Sequence, residues 1–317
     1  MTLAQLHALC AIVDRGLSVS RAAETLHRSQ PAVTRQLQQL ETGLGLTLFV
    51  RQRNRILKLT PEGEAIARVA RKVLADTRDL ARMAESLRQS ERGELTLATT
   101  HTQARYTLPR IIGAYMERYP DVALSLRQGT PAQCAAMVAT GQADLAICTE
   151  TSDTPGEVVQ IPCYRLQRCV VTPADHPLLR ARRLTLKGIA RYPVITYAEG
   201  FSGRAIVDRA FSDAGLAPKV VLSAIDADVS KSYVELGLGI AILASVAFDP
   251  DRDHGLRQIR AGHLFAPSRL SVVVRRGAYL PAYTLAFIRL FSPALPEAEI
   301  RSVLAGAAVT PRTLHDL

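Results

Sequence analysis

The stretch from Ser18 to Leu40 carries side chains that could touch DNA. Gln30, Thr34, Arg35 and Gln38 fall on one side of a helical period whose other side is Val33, Leu37 and Leu40. Gln offers the paired donor and acceptor that fit adenine, Arg forks onto guanine or a phosphate, and Thr reaches either. Ser29 precedes the run as its N-cap. Pro31 falls in the first turn, where a missing N–H costs nothing. A shorter helix ahead of it shows Ala22, Ala23 and Leu26 on an apolar face, with a tight polar turn between the two. This spacing predicts a helix-turn-helix whose second helix is the recognition helix.

Several elements must hold that helix in place. Leu6, Leu9, Ile12 and Val13 give a first helix over 3–13 that closes a small core. After Gly43 and Gly45, the segments Leu48–Arg51 and Ile56–Leu59 read as a two-stranded wing. Arg51, Arg53, Asn54 and Arg55 lie around its tip, and the arginines suit phosphates or the minor groove. Residues 1–58 hold eight Lys and Arg against three Asp and Glu, a net +5 within a chain of net charge +10. Such an excess raises affinity for polyanions and makes it salt-dependent. Thr60-Pro61-Glu62 starts a long helix reaching about Ser90. In it Ile66, Val73, Leu80 and Leu87 recur every seven residues, with Ala70, Thr77 and Ala84 at the other seam position, which predicts a homodimer through this helix.

Beyond Gly93 the texture becomes βαβ. Strands are expected at Leu95–Leu97, Val122–Leu126 and Leu145–Ile147, with helices at 104–118 and 131–140 between them. A second set begins near Leu166, with strands at Cys169–Val171, Val194–Thr196 and Val220–Leu222 and helices at 203–214 and 229–236. Leu270–Val274 returns toward the first set, and a helix over Tyr283–Phe291 closes it. Two lobes joined by crossing segments form a cleft for a small ligand. The fold class is therefore α+β and α/β multidomain. The expected parts are a winged helix-turn-helix at 1–60, a linker helix at 61–91, an effector domain at 92–295 and a tail at 296–317. Lobe I takes about 92–164 and 268–292, and lobe II about 165–267.

Composition excludes several classes. The 317 residues are 48% hydrophobic and 21% charged, with no run long enough to span a membrane and no leader pattern, so a cytoplasmic location is expected. The cysteines at 10, 134, 148, 163 and 169 show no metal-binding spacing, and their odd number argues against a disulfide framework; buried thiols are expected. No metal or cofactor is called for.

The blocks Ala22–Leu26, Ser29–Arg35, Leu40-Glu41, Leu44–Phe49 and Thr60–Gly63 resemble the LysR-type transcriptional regulators. The resemblance covers nearly the whole chain. It implies promoter double-stranded DNA as partner, a two-lobed effector domain like that of the periplasmic binding proteins, a homotetramer and RNA polymerase as the target of activation. Ala98–Tyr106, Gln128–Pro131, Ala146–Glu150, Pro162–Tyr164, Pro193–Tyr197, Gly200–Arg204, Asp226–Val229 and 233–244 are similar to the cysteine-regulon (CysB/Cbl) subfamily. This implies activation of sulfur-assimilation genes and a small-molecule anion effector, sulfate or O- or N-acetylserine. The contacts it implies are Thr100, Thr102, Gln103, Thr149 and Ser202. Ser202 stands where the subfamily pattern has Thr, which keeps the hydroxyl and loses a methyl; ligand choice or packing can differ accordingly. Nothing in 293–317 matches.

Those positions make physical sense. Thr99–Gln103 and Ser202-Gly203 open helices after strands, and Thr149 ends one, so free backbone N–H groups gather there with neutral hydroxyl and amide donors. Neutral donors alone are expected to hold the anion, leaving no buried charge when it departs. Plain N-capping is the simpler reading of any one of these sites. Arg105 and Arg204 either orient a ligand or bridge to an acid. Asp226 and Asp228 form an acid pair, or Asp228 caps the following helix. His101 beside Thr100 and Thr102 is the nearest approach to an activated nucleophile, with no carboxylate evident to orient it. An enzyme or a solute receptor is the alternative class; an aromatic acid, a sulfonate-derived signal or adenylyl sulfate is the alternative ligand.

Overall fold

A computed structural model describes residues 1–53, 55–87, 92–151 and 153–317. Asn54, the expected helix end near Ser90 and the side chain of Leu87 lie outside what is described. The chain divides into two units, Met1–Arg88 and Gln89–Leu317.

In the first unit, α1 (Leu3–Asp14), α2 (Val19–Thr25) and α3 (Gln30–Leu44) pack around Leu6, Leu9, Ile12, Ala22, Val33, Leu37 and Leu40. Burying each of the larger aliphatics stabilises the unit by about 1.5–3 kcal/mol. Gly45 stops α3 with φ +67°, a left-handed turn that a side chain would resist. The wing is β1 (Phe49–Gln52) paired antiparallel with β2 (Arg55–Leu59). Helix α4 (Pro61–Leu87) is capped by Thr60, whose hydroxyl accepts from the Gly63 N–H at 2.9 Å.

The expected seam of α4 divides between two faces. Ala70 is buried in the helix-turn-helix core beside Ala67 and Leu74, and Ile66 packs against it. The small alanines let α4 approach α1 within the chain, so Ala70 is not free for a second chain, whereas Thr77 and Ala84 further along are exposed. Thr77 bonds back to the Val73 carbonyl of its own helix. The apolar stripe left in the open is Val69, Val73, Leu80 and Met83; Leu80 is 71% exposed. Val73 and Leu80 are expected seam residues and keep the heptad step, and Val69 and Met83 flank them.

The second unit has two sheets. Lobe I carries β3 (Gly93–Thr99), β4 (Val122–Gln128), β5 (Leu145–Thr149), β6 (Val158–Leu166), β12 (Ser268–Arg275) and β13 (His315–Asp316), in the order β13-β6-β12-β5-β3-β4. Lobe II carries β7 (Arg168–Pro173), β8 (Val194–Tyr197), β9 (Val220–Ala224), β10 (Ile240–Ala244) and β11 (Leu256–Arg260), in the order β11-β7-β10-β8-β9. Strands β3, β4 and β5 run parallel, as do β8, β9 and β10, so their C-terminal ends face a common crevice. The chain crosses between lobes twice, from β6 into β7 and from β11 into β12. Strands β6 and β11 escaped the sequence reading. The last residues are folded onto lobe I: α11 (Glu297–Leu304) buries Ile300 and Val303, and β13 pairs with β6.

Candidate functional site

On α3 the residues expected to meet DNA share one outward face. Ser29, Gln30, Pro31, Arg35 and Gln38 are exposed and Thr34 is half-buried. Ser29 occupies the N-cap position, yet its side chain makes no capping hydrogen bond. The Gln30 carbonyl oxygen accepts from the Ser20 hydroxyl at 3.3 Å, tethering the side chain from α2 and leaving its NH2 end to donate. Arg53, at φ +45° in the wing turn, and Arg55 are exposed. Arg51 differs from them: it pairs with Glu41 on α3 at 2.7 Å, and Glu41 also accepts from the Leu48 N–H at 2.9 Å. It therefore fixes the wing to the recognition helix before it grips anything else.

In the second unit, Thr100, Thr102, Gln103, Thr149 and Ser202 line one small cavity of about 30 Å³, roughly the room of one or two waters. Three come from the turn after β3. There the helix begins at His101, widens into a π-helical turn at Gln103–Thr107 and continues as α5 (Leu108–Arg118); such widened turns occur often at functional sites. Thr107 donates to the Gln103 carbonyl oxygen at 2.7 Å, which fixes the amide and leaves its NH2 as a donor. Across the cleft, Ser202 opens α8 (Ser202–Asp213). Its hydroxyl donates to Thr149 at 2.9 Å and lies 3.1 Å from the Ser268 hydroxyl, joining the lobes. The first amides of α8 have no intrahelical acceptor and point the positive end of the helix at the cavity.

The sequence reading missed Arg168, and with it went the expectation that neutral donors alone line this hollow. Arg168 begins β7 at the first crossing between lobes, lines the same cavity and is 2% exposed. One guanidinium nitrogen donates to Ser268 at the second crossing, and its Nε is buried without any partner. No acid among the described residues forms an ion pair with it. Burial pushes its pKa down, against raising effects of Tyr197 and Glu150, but a guanidinium stays charged in proteins. Gly203 matters here: a Cβ would sit 3.0 Å from the Tyr197 ring and 3.1 Å from an Arg168 nitrogen. Tyr197, buried and thereby pushed up in pKa, accepts from the Ala244 N–H at 3.4 Å and completes the wall. A buried cation ringed by hydroxyls, an amide and a helix N-terminus is complementary to a small oxyanion. The only sequence signal was one Arg at the head of an apolar strand, Arg168-Cys-Val-Val.

Comparison with known proteins agrees in both units. The description "Bacterial regulatory helix-turn-helix protein, lysR family" matches residues 3–64, and "LysR substrate binding domain" matches residues 88–296. This chain belongs to the LysR family of bacterial transcriptional regulators. It is 44% identical to the HTH-type transcriptional regulator SsuR of Burkholderia cenocepacia, across 97% of this chain and all of that one. It is 43% identical to CysB of the same species, over 97% and 98% of the two chains, and 36% identical to cbl of Escherichia coli, over 95% of each. Among solved structures, the cofactor-binding domain of Cbl is similar at 38% identity and TM-score 0.65, covering 68% of this chain and 95% of that one. Full-length CbnR in complex with its target DNA, at 20% identity, shares the fold over 92% and 99% of the chains with TM-score 0.63. These relatives are regulators, and the LysR family is not one of enzymes.

Within this LysR effector domain the remaining charged residues take structural partners. Arg204 pairs with Asp208 at 2.7 Å and Arg105 with Asp228 at 3.1 Å, so both bridge to acids. Asp226, not Asp228, caps α9 (Ala227–Glu235): it accepts from the N–H groups of Asp228 at 2.7 Å and Val229 at 3.4 Å. Asp228 lies one step inside the helix, and the two acids do not pair with each other but with separate groups of lobe I. His101 does have a carboxylate, Asp226, at 3.0 Å. That partner was invisible in the sequence because it comes from the other lobe, 125 positions on. All five cysteines are free and buried, and burial raises the thiols of Cys10 and Cys169 to about 11. Among the described residues no helix is long and apolar enough to cross a membrane.

Proposed function

We propose that this LysR-type regulator binds promoter DNA as a dimer or a dimer of dimers and responds to a small oxyanion in the Arg168 cavity. Its targets are sulfur-assimilation and cysteine-biosynthesis genes, which it activates through RNA polymerase in the cytoplasm. The observation that carries the reading is the convergence of Thr100, Thr102, Gln103, Thr149 and Ser202 on a buried guanidinium that forms no ion pair with an acid among the described residues. Sulfate is the smallest of the candidate effectors. Acetylserine is longer and would extend past Phe201 and Ser202 into an adjoining hollow of about 920 Å³ that shares those two residues. The stripe Val69, Val73, Leu80 and Met83 is the apolar surface on which α4 would meet a second copy. An anion that favours the closed lobes shifts their population, and the packing of effector domains would then set half-site spacing.

Calorimetric titration of the full chain with sulfate, O-acetylserine, N-acetylserine and an aromatic acid tests the ligand, and footprinting of a cysteine-biosynthesis promoter with each tests the response. Binding of sulfate or an acetylserine with an altered footprint supports the reading. An unchanged footprint with every sulfur metabolite, and no heat of binding, removes the sulfur assignment and leaves the DNA-binding one.

A further inference from the structure

The segment that supplies three of the anion donors also makes the main polar contacts between the lobes. Thr100, Thr102 and Gln103 face the cavity. Their neighbours His101, Arg105 and Tyr106 reach α9 of lobe II instead. His101 Nε2 lies 3.0 Å from Asp226, and Arg105 Nε lies 3.1 Å from Asp228. The Tyr106 hydroxyl donates to Asp228 and accepts from Lys231 Nζ at 2.8 Å. Lys231 is 3.2 Å from Asp228 and donates to both oxygens of Asp253 at 2.9 Å, which anchors the network in the body of lobe II.

We propose that Asp228, with Asp226 beside it, is a positioning residue for effector binding: it ties the 100–106 segment to α9, so that filling the anion cavity and holding the lobes together are coupled. The proposal rests on the anion-site reading above and adds its regulation. The geometry supports a tie rather than a cation site. His101, Asp226 and Asp228 could bring their ligand atoms within 4.8 Å of one another, but Arg105 and Lys231 already occupy Asp228. The network is also well made electrostatically. Burial alone would depress Lys231, yet its bonds to Asp253 and Tyr106 hold it above its usual value. Burial alone would raise Asp228, yet Tyr106 and Lys231 hold it below. Burial and the bond to Asp228 push Tyr106 up to about 12. Lys231, Asp228 and Tyr106 are thus held in the charge states that make this part of the tie. A shift of the donors of a few tenths of an ångström on anion binding would be felt at Asp228, since one helical turn joins Gln103 to Tyr106.

The test is hydrogen exchange on the full chain, with and without sulfate, in wild type, Asp228→Asn, Asp228→Glu and Arg105→Gln. Arg105 is exposed, so its variant probes the tie without loss of a buried group. In the ligand-free protein, Asp228→Asn should speed exchange of amides 100–107 about tenfold, Arg105→Gln less so, and Asp228→Glu should restore most of the protection. In wild type, sulfate should protect both 100–107 and 227–235. In Asp228→Asn, sulfate should bind about fivefold to tenfold more weakly and protect α9 no longer. Equal ligand-free exchange in wild type and in both the Asn and Gln variants overturns the proposal, as does undiminished protection of α9 by sulfate in Asp228→Asn. Failure of sulfate to bind wild type would refute the anion site instead, while the ligand-free comparison still decides the tie.

Discussion

Replacing Arg168 by Met should make the ligand-free effector domain more stable and indifferent to sulfate. Arg168 is 2% exposed, has an unpartnered Nε and no acid in ion-pair contact, and its one described side-chain hydrogen bond is to Ser268. An ion held out of water costs several kcal/mol after relaxation, and apolar replacement of buried charged groups has stabilised proteins by about 1–4 kcal/mol. Against this, losing the hydrogen bond to Ser268 costs about 1 kcal/mol. Ser268 keeps Ser202 as a neighbour at 3.1 Å, so no orphan is created there. The net expectation is a gain of up to about 3 kcal/mol, which at that upper end is roughly 6–12 °C in the transition of a domain of this size. Wild type should gain about 2.7 kcal/mol from sulfate at a hundredfold excess over Kd, and Arg168→Met almost none. The order of melting should thus reverse: the variant higher without sulfate, wild type level or higher with it. Scanning calorimetry of the full chain in chloride buffer, with sulfate added afterwards, reads both. A variant that melts well below wild type without sulfate, or gains as much from sulfate as wild type, refutes the assignment of Arg168 as the anion's countercharge.

Gly203→Ala should weaken sulfate binding by about tenfold with little change in melting. The new methyl must push Tyr197 or Arg168 by a few tenths of an ångström, and each 1.4 kcal/mol of misfit is a factor of ten; titration calorimetry measures it. Arg35→Ala should cost about 1–3 kcal/mol in operator affinity, whereas Arg53→Ala should lower the slope of log affinity against log salt by about 1, both read by fluorescence anisotropy. Arg51→Ala should behave differently from Arg53→Ala, lowering the melting temperature as well, because Arg51 holds Glu41. Leu80→Glu should dissociate the dimer in sedimentation velocity without unfolding the helix-turn-helix, since Leu80 is 71% exposed in the single chain.

The helix-turn-helix was legible because its code is local. Alternation of Val33, Leu37 and Leu40 with Gln30, Thr34, Arg35 and Gln38 needs only the helical period, and the Thr60 cap needs only three residues. The five cavity residues came together for a related reason: each ends a strand or opens a helix, and a two-lobed α/β fold gathers such ends. What stayed hidden depends on contacts between distant segments. Strand β6 reads poorly as a strand because Pro162 interrupts it, and it is held by its register with β12. Only part of the α4 seam faces the helix-turn-helix core, at Ile66 and Ala70, and periodicity alone does not say whether Ala70 meets α1 or a second chain. The carboxylate of His101 comes from another lobe.

Arg168 is the case in which a sound rule gave the wrong expectation. Neutral donors avoid stranding a charge when the ligand leaves, and the hydroxyl-rich motifs fitted that rule. The structure strands a charge regardless, between the two crossings of the chain from lobe to lobe: Arg168 opens β7, Ser268 opens β12, and they are hydrogen-bonded to each other. An unpaired cation there raises the free energy of the empty state, and an anion that relieves it binds with that difference added to its own contacts. Because the relief occurs at both crossings and beside the Ser202–Thr149 bond, it acts on the angle between the lobes rather than on either lobe alone. A wholly neutral pocket could bind sulfate as tightly, but its empty state would lack this particular electrostatic penalty. The buried guanidinium therefore makes a strong coupling between anion binding and lobe geometry physically reasonable in this chain.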